Sequence, residues 1–321
     1  MKNLSELTDF YYKTLYPTLK RLEADRKKVR YRIFLFGISY TLIYALLIVT
    51  LKNILFQSFD AIGFIGIIYI AIGAFIYKML SKDYIKEFKQ KVIHPLIKEL
   101  DNNLNYDSSS HVPAKIFRQS KLFTSSIDRL NGNDFVKGKI DDVKLQFSDI
   151  HAQKRHKSSK GKESWSTVFQ GLFIVAEFNK HFKEKTVILP DSAQNMFGDM
   201  IGNWLQSNNV SRDKLVKMDS PAFEKEFVVY STDQIEARYI LSHALMERLL
   251  NFKKKSSHPV YISFIGDSIH MAIEYNKDLF EPSIFRSLLD YKIAMEYVQT
   301  LHLCIGIIDE LKLNEKLWSK R

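Results

Sequence analysis

The chain has 321 residues, of which 46% are hydrophobic and 26% charged, and 47 Lys and Arg residues against 36 Asp and Glu residues give a net charge of +11. One cysteine, 12 glycines and 7 prolines exclude a disulfide scaffold, a collagen-like repeat and a largely disordered chain. The basic excess suggests nucleic acid or an acidic membrane surface as partner, and its distribution along the chain decides between them.

Two long apolar runs lie in the N-terminal third. Ile33 to Leu51 contains 19 consecutive residues without a charge, and the run from Ala61 to Tyr77 continues past Lys78 to residue 80. Each approaches the roughly 20 residues that a helix needs to cross a bilayer. We therefore predict two transmembrane helices, spanning about 33–51 and 61–80, joined as a helical hairpin. A buried hairpin in a soluble protein is the alternative, and a cleaved signal peptide is disfavoured by the 32 mostly polar residues before the first run.

Charge around the runs predicts their orientation. Residues 1–32 hold nine Lys and Arg against four Asp and Glu, residues 78–100 hold six against three, and the connecting segment has only Lys52 and Asp60. Positive flanks stay cytoplasmic, so we expect both termini in the cytoplasm. Neither run contains an ionisable residue, which argues against a transporter. Small residues such as Gly66 and Gly73 favour close packing against Gly37 and Ser39, or between protomers.

Juxtamembrane helices are expected on both sides of the hairpin. Apolar residues recur at three- and four-residue steps before the first run and after the second, at Leu4, Leu7, Tyr11, Leu15, Leu19 and Leu22, and at Ile85, Phe88, Val92, Leu96, Leu100 and Leu104. We predict that residues 1–104 form the membrane hairpin with an antiparallel stalk, with a shared bend or the stalk end at Pro17 and Pro95. In the alternative, the N-terminal helix lies flat on the lipid headgroups.

The polar segment from Asn102 to Val112 predicts a linker, and residues 113–321 predict a cytoplasmic α+β domain of mainly antiparallel strands with a central helix and a long C-terminal helix. The whole chain is thus expected to be a membrane-anchored α+β protein. Strands are predicted over Phe135–Ile140, Val143–Ala152, Ser166–Phe178, Lys185–Leu189, Lys214–Met218 and Phe223–Tyr230.

Helices are predicted at three places in this domain. One covers Ala193–Gln206, the central one begins at a cap formed by Thr232 and Asp233 and runs to about Phe252, and the closing one covers Ser283–Leu311. Between the last two, Pro259–Tyr275 predicts a β-hairpin with Gly266 and Asp267 at its turn.

Few residues suggest catalysis. The chain lacks a phosphate-binding loop, a dinucleotide-binding motif and the cysteines of a zinc site, so we predict no cofactor and no metal. Glu236, His243 and Glu247 fall on one face of the predicted central helix, where two carboxylates and an imidazole could transfer protons. A solvent-facing polar stripe is the simpler interpretation. Asp191, which follows a strand, is the remaining weak catalytic candidate.

One loop of the predicted domain is strongly basic. Lys154, Arg155, Lys157, Lys160 and Lys162 have no acidic residue among them. They are the candidates for contact with an anionic lipid or another anion, and a solvated hairpin tip is the alternative. RNA binding is less favoured, because Trp165 is the one aromatic residue nearby that could stack on a base.

Several short strings carry a resemblance that spans most of the chain. They are Phe169-Gln-Gly171-Leu-Phe173, Leu189-Pro190-Asp191, Glu236-Ala237-Arg238-Tyr239-Ile240-Leu241 and Phe280-Glu281-Pro282-Ser283. Together with the basic N-terminal helix and the two apolar runs, they resemble a bacterial family of two-span membrane proteins of unknown function whose members often carry the label "galanin". The resemblance implies a location in the bacterial inner membrane, and it brings no established activity or catalytic residues.

These observations favour a membrane-anchored cytoplasmic interaction or scaffold module that docks another protein or a second copy of itself without catalysis. The alternatives are a membrane-associated enzyme with an unrecognised site and a module that senses anionic lipid. Residues 1–104 hold 16 basic and 9 acidic groups, so most of the net charge of +11 surrounds the predicted membrane hairpin. Nucleic acid is therefore not expected as a partner.

Overall fold

The computed structural model describes residues 4–55, 59–158, 161–191, 214–275 and 277–311. These residues form two compact units. The helical unit comprises Ser5–Leu96 with Glu281–Glu296, and the sheet unit comprises Ile97–Phe280 with Tyr297–Arg321. Segment 281–296, which the sequence pattern placed in the C-terminal domain, thus belongs to the unit of the apolar hairpin. The predicted helix Ala193–Gln206 lies outside the described residues.

Two long helices dominate the helical unit. In chain order the elements of this region are α1 (Leu4–Asp9), a π-helical turn (Phe10–Thr14), α2 (Tyr16–Leu55), α3 (Phe59–Phe88), a second π-helical turn (Lys89–Ile93) and α4 (His94–Leu100). Within the unit, α2 and α3 pack antiparallel: a Cβ on Gly73 would lie 3.7 Å from Tyr40, and one on Gly66 would lie 3.8 Å from Tyr44.

The spacing of buried residues explains both π-helical turns. Leu7, Tyr11, Leu15 and Leu19 are buried at successive steps of four residues, and Tyr84, Phe88, Val92, Leu96 and Leu100 repeat this spacing. On a regular α-helix each step of four rotates the buried stripe by about 40°. A turn closed by an i→i+5 hydrogen bond holds one extra residue and restores the alignment. The Leu15 amide bonds to the Phe10 carbonyl at 3.1 Å in this way.

Proline accompanies each of these turns. Pro17 and Pro95 lie shortly after the two π-helical turns. A proline has no N–H to donate and its ring crowds the preceding turn, so a regular α-helical ladder cannot pass through it. The sequence predicted a bend at these positions, and the structure places a widened turn just before each.

The sheet unit is built on one antiparallel sheet of seven strands in the order β1-β2-β3-β4-β6-β5, with β7 also paired to β4. The strands are β1 (Asn105–Asp107), β2 (Arg129–Ile140), β3 (Val143–Lys157), β4 (Glu163–Pro190), β5 (Lys214–Val216), β6 (Phe227–Ser231) and β7 (Val260–Glu274). The predicted linker is wrong, because β1 pairs with β2 and both Leu104 and Val112 are fully buried.

The strand predictions are otherwise confirmed with two corrections. Two predicted strands merge into β4, which is 28 residues long. The predicted hairpin at Pro259–Tyr275 is wrong, since β7 pairs with β4 on both sides of Gly266. Gly266 has φ +59° and faces Phe182 where the register of β4 shifts, so it forms an irregularity within the ladder and no chain reversal.

Five short or medium helices complete the described part of the chain: α5 (Ala114–Gln119), α6 (Pro221–Glu224), α7 (Gln234–Ile240), α8 (His243–Ser256) and α9 (Tyr291–Glu310). The single central helix predicted over 232–252 is wrong. Leu241 leaves helical geometry with ψ 60°, and the Ser242 hydroxyl caps α8 by accepting from the Leu245 amide at 3.4 Å. Serine competes for backbone partners in this way and favours helix starts over helix interiors.

Two further boundaries differ from the sequence predictions. The Ser220 side chain caps α6, so β6 begins at Phe227 and not at Phe223. The closing helix begins at Tyr291 and not at Ser283, because residues 283–290 form local turns in which the Ser283 hydroxyl accepts from the Arg286 amide at 3.1 Å.

Aromatic rings fill the core of the sheet unit. The Phe117 ring lies 4.9 Å from that of Phe173, and the Phe123 ring lies 5.0 Å from Phe169 and 5.4 Å from Tyr261. Four of these rings are buried, and Phe123 packs against them. Burial of such rings is a main source of stability in a sheet of this kind.

Candidate functional site: predicted residues and the docked helical hairpin

The three residues predicted to share one helix face lie on two helices. Glu236 belongs to α7, whereas His243 and Glu247 belong to α8. The Glu236 carboxylate accepts hydrogen bonds from the amides of Lys183 at 3.1 Å and Glu184 at 2.9 Å, and so attaches α7 to β4. Among the described residues, no group of three or more His, Cys, Asp and Glu could hold a metal ion. A catalytic role for these residues stays a prediction.

Asp191 lies immediately after β4. Its amide donates to the Glu226 carbonyl at 3.0 Å, just before β6 begins. This places Asp191 at the end of the β4–β6 pair, as the sequence pattern suggested, and the contact that the structure shows for it is a backbone one.

The basic segment forms an ordered hairpin. Lys154, Arg155 and Lys157 lie on β3, which pairs with β4 as far as Lys157 and Glu163, and Lys162 precedes β4. Lys160 lies outside the described residues. The Ser158 amide donates to the Lys162 carbonyl at 2.9 Å, and the Arg155 guanidinium contacts the Glu163 carboxylate at 3.4 Å. The predicted long loop is therefore a five-residue connection, and one of its charges is balanced.

A small polar cavity of about 240 Å³ in the sheet unit was not predicted from the sequence. Its lining includes Asn131, Asn133, Asp149, His151, Gln170 and Lys277. These residues come from β2, β3, β4 and the segment after β7, so no local pattern could have indicated the cavity. Asp149 is 4% exposed and accepts from the Leu279 amide at 2.8 Å, which ties that segment to β3.

His151 is the titratable imidazole at this cavity. Its Nε2 lies 3.0 Å from the Thr167 hydroxyl. Burial lowers the pKa of His151, Arg129 lowers it further, and Asp278 opposes both. The cavity can therefore hold a small polar molecule or water beside a neutral imidazole.

The helical unit exposes an extensive apolar surface. Two helical stretches, within Tyr16–Thr50 and Gly63–Leu100, are long and apolar enough to cross a membrane, and no residue of either apolar window is buried. Large exposed side chains on this surface include Phe34, Leu42, Ile43, Leu46, Phe64, Ile67, Ile70 and Phe75.

Tyrosines join the two apolar helices. The Tyr40 and Tyr69 rings stack at 4.5 Å, and the Tyr40 hydroxyl donates to the Tyr69 carbonyl at 3.0 Å. The Thr41 and Tyr69 hydroxyls lie 2.9 Å apart. Gly66 and Gly73 thus make room for tyrosine rings, whereas a Cβ on Gly37 would have no neighbour within 4 Å. The expected packing of these glycines against Gly37 is wrong.

A buried ion pair fastens residues 281–290, the docked segment, to α2. Arg26 and Glu23 are 3% and 6% exposed and form two hydrogen bonds, at 2.9 and 2.7 Å. Arg26 also donates to the Ile284 carbonyl at 2.6 Å, and Glu23 accepts from the Leu288 amide at 3.0 Å. The Tyr11 hydroxyl donates to the Leu288 carbonyl at 3.2 Å.

Electrostatics keep this pair charged. Burial raises the pKa of Glu23, but the hydrogen bonds from Arg26 and Leu288 outweigh it and leave the pKa below its ordinary value. Glu23 is therefore ionised at neutral pH. Sequence analysis assigned Arg26 to the general basic flank of the hairpin, because the partner segment lies about 260 residues away in the chain.

Residues 167–313 match the model of a family described as a protein of unknown function (DUF3137). This region is similar to a family of unknown function. The match runs from β4 through most of the sheet unit and includes the docked segment. No curated protein matches the chain.

One solved structure, that of the mycobacterial trehalose monomycolate transport factor A, TtfA, aligns with 64% of this chain and 91% of its own chain, at 11% identity and a TM-score of 0.30. A similarity at this level supports no conclusion about function.

Proposed function

We propose that this chain is a two-span protein of a bacterial inner membrane, with both termini in the cytoplasm, whose sheet unit is a non-enzymatic interaction or scaffold domain. The observation that carries the proposal is the unburied apolar surface of α2 and α3. Soluble monomers rarely expose contiguous apolar patches above a few hundred Å². Lipid is the solvent in which this surface is stable, since the helices satisfy their own backbone hydrogen bonds.

Charge supports the orientation. The cytoplasmic flanks proposed here, residues 1–32 and 78–100, carry 15 of the basic residues, and the connection between the runs carries one. Lys and Arg near a transmembrane helix favour the cytoplasmic side.

The contacts of the candidate residues support an interaction role over a catalytic one. Glu236 is engaged with the backbone of β4, and Asp191 shows a backbone contact at a strand end. Catalytic groups, by contrast, normally converge on a cavity with a reactive partner.

Cysteine labelling tests the membrane topology. Cys304 is fully buried, so it adds little background to labelling by a membrane-impermeant maleimide. In spheroplasts we expect Ser58→Cys, between the two apolar runs, to be labelled from outside, and Ser158→Cys, at the exposed hairpin tip, to be labelled only after lysis. Release of the protein by alkaline carbonate would contradict insertion, and reversed labelling would contradict the orientation.

Cross-linking of the full chain in native membranes tests the interaction role. We expect reproducible adducts, with a defined partner or a second copy, that disappear when residues 113–321 are deleted. A chain that stays monomeric and without adducts would contradict a scaffold function.

A further inference from the structure

An open groove of about 850 Å³ lies on the helical unit where the first apolar run begins. Its lining includes Lys27, Arg30, Phe34, Gly37, Ile38 and Phe285. We call it the juxtamembrane groove. Its walls come from one face of α2 and from the docked segment.

The chemistry of the groove changes along α2. Lys27 and Arg30 are one turn apart, and Phe34, Gly37 and Ile38 continue the same face at helical spacing. At 1.5 Å per residue, the distance from Arg30 to Leu42 at the far end of the lining is about 18 Å. That length is close to the hydrocarbon depth of one leaflet, about half of a 30 Å bilayer core. The basic end therefore lies at headgroup level when the apolar end lies among acyl chains.

Phe285 provides the second wall. Its side chain is 65% exposed, and it follows Ile284, whose carbonyl is held by the buried Arg26 guanidinium. The position of Phe285 is thus fixed by the Glu23–Arg26 pair. Aromatic residues at this level are typical of the membrane interface, where a ring contacts both headgroups and acyl chains.

Lys27 and Arg30 are free to bind an anion. Their neighbours are engaged, Arg26 with Glu23 and Lys28 with Asp25 at 2.9 Å. Within the described part of the chain, Lys27 and Arg30 contact no carboxylate, and both are exposed at the groove. Two unpaired cations one turn apart match a phosphodiester, and arginine in particular forms paired hydrogen bonds with phosphate oxygens.

We propose that the juxtamembrane groove binds one anionic phospholipid of the cytoplasmic leaflet, with its phosphate at Lys27 and Arg30 and an acyl chain along Phe34, Gly37 and Ile38 against Phe285. This inference rests on the proposed membrane insertion. It differs from lipid contact at the basic hairpin around Lys154, because it combines charge with an apolar channel.

Native mass spectrometry of the full-length protein in detergent tests the site with phosphatidylglycerol and phosphatidylcholine as probes. We expect phosphatidylglycerol adducts at a severalfold lower lipid concentration than phosphatidylcholine adducts. Lys27→Gln with Arg30→Gln should abolish this preference. The matched control is Lys28→Gln, whose partner is Asp25, and the preference should persist there.

The apolar half of the site has its own pair of variants. Gly37→Leu should weaken binding of both lipids at least fivefold, because the leucine fills the channel where a Cβ meets no neighbour within 4 Å. Gly63→Leu, equally free of neighbours but on α3, should leave binding unchanged. Competition by glycerophosphoglycerol, which has no acyl chains, would overturn the acyl-chain contact.

Equal affinity for the two lipids, or affinities unchanged in both the charge and the Gly37→Leu variants, would overturn the proposal. A protein that resists carbonate extraction and yet shows no lipid preference loses this site alone, whereas release by carbonate removes the proposed membrane anchor itself.

Discussion

Gly171 marks the closest approach between the backbones of β4 and β7. It has φ +149°, and a Cβ there would lie 2.2 Å from the Ile273 carbonyl oxygen and 2.7 Å from the Tyr275 amide nitrogen. We expect Gly171→Ala to lower the Tm strongly or to prevent folding, because the backbone of β7 has to move away. Gly306→Ala is the control, since its Cβ would have no neighbour closer than 3.9 Å and alanine favours the helix. Equal Tm values for the two variants would contradict this account.

His270 makes stability depend on pH. The side chain is 5% exposed on β7, and burial lowers its pKa to about 4, against an opposing hydrogen bond with the Ser263 backbone. The unfolded chain binds a proton near pH 6.5 and the folded chain only near pH 4, so stability is complete above pH 6.5 and is lost as the pH falls between these values. The loss at pH 5 amounts to about 2 kcal/mol.

The measurement is the Tm of the full-length protein in detergent at pH 7 and pH 5. His270→Gln should reduce the difference in Tm between the two pH values, whereas His156→Gln, on the exposed hairpin, should keep it. An unchanged difference in His270→Gln would show that other groups cause the acid sensitivity.

Local signals in the sequence were informative for single residues and insufficient for their partners. The Asp233 cap is confirmed, since its carboxylate accepts from the amides of Ile235 at 2.7 Å and Glu236 at 3.1 Å. Cap geometry depends on neighbours in the chain, which the sequence shows. The bond from Glu236 to β4 joins residues 52 and 53 positions apart, and the helix wheel on which Glu236 met His243 assumed a continuity that Ser242 breaks.

At the scale of elements, one ion pair decides whether the docked segment stays on α2. Arg26→Met leaves the Glu23 carboxylate buried without its counter-charge, and loss of one partner of a buried pair costs about 3–5 kcal/mol. We expect hydrogen exchange to accelerate across residues 284–290, most clearly at the Leu288 amide, which donates to Glu23.

The matched control for this variant is Asp25→Asn. It removes the exposed Asp25–Lys28 pair on the same helix, and pairs of that kind contribute about 0–1 kcal/mol. Exchange in 284–290 should be unchanged there. Equal protection in Arg26→Met and Asp25→Asn would show that apolar packing alone holds the segment.

Whole elements were predictable where their signal is local. The apolar runs and the first strands repeat over many residues, and the structure confirms helices and strands at these places. For Gly266 the sequence signal is ambiguous, because a positive φ suits both a hairpin turn and a bulge. The distant strand β4, paired on both sides of Gly266, determines the outcome.

At the scale of the molecule, the two units are not consecutive pieces of chain. Residues 281–296 of the helical unit interrupt the sheet unit in sequence. A fragment comprising residues 97–321 therefore lacks Glu23 and Arg26, and Ile284 and Leu288, now 2% and 0% exposed, lose these partners. We expect this fragment to self-associate in size-exclusion chromatography.

Serine substitutions separate this effect from general instability. Ile284→Ser with Leu288→Ser should shift the fragment toward a monomer, whereas Phe285→Ser, at a side chain already 65% exposed, should not. A fragment that is monomeric without substitution would mean that the docked segment covers its own apolar residues.

The π-helical turns at Phe10–Thr14 and Lys89–Ile93 bear on how the length of this region can vary among related chains. Each holds one residue beyond the α-helical count, and removing a residue from a helix rotates everything after it by about 100°. A related chain that is one residue shorter at either site would keep a buried stripe only if its apolar residues alternated in steps of three and four. Single-residue gaps in an alignment should therefore fall at these turns, together with a change in apolar spacing, and seldom elsewhere along the four helices.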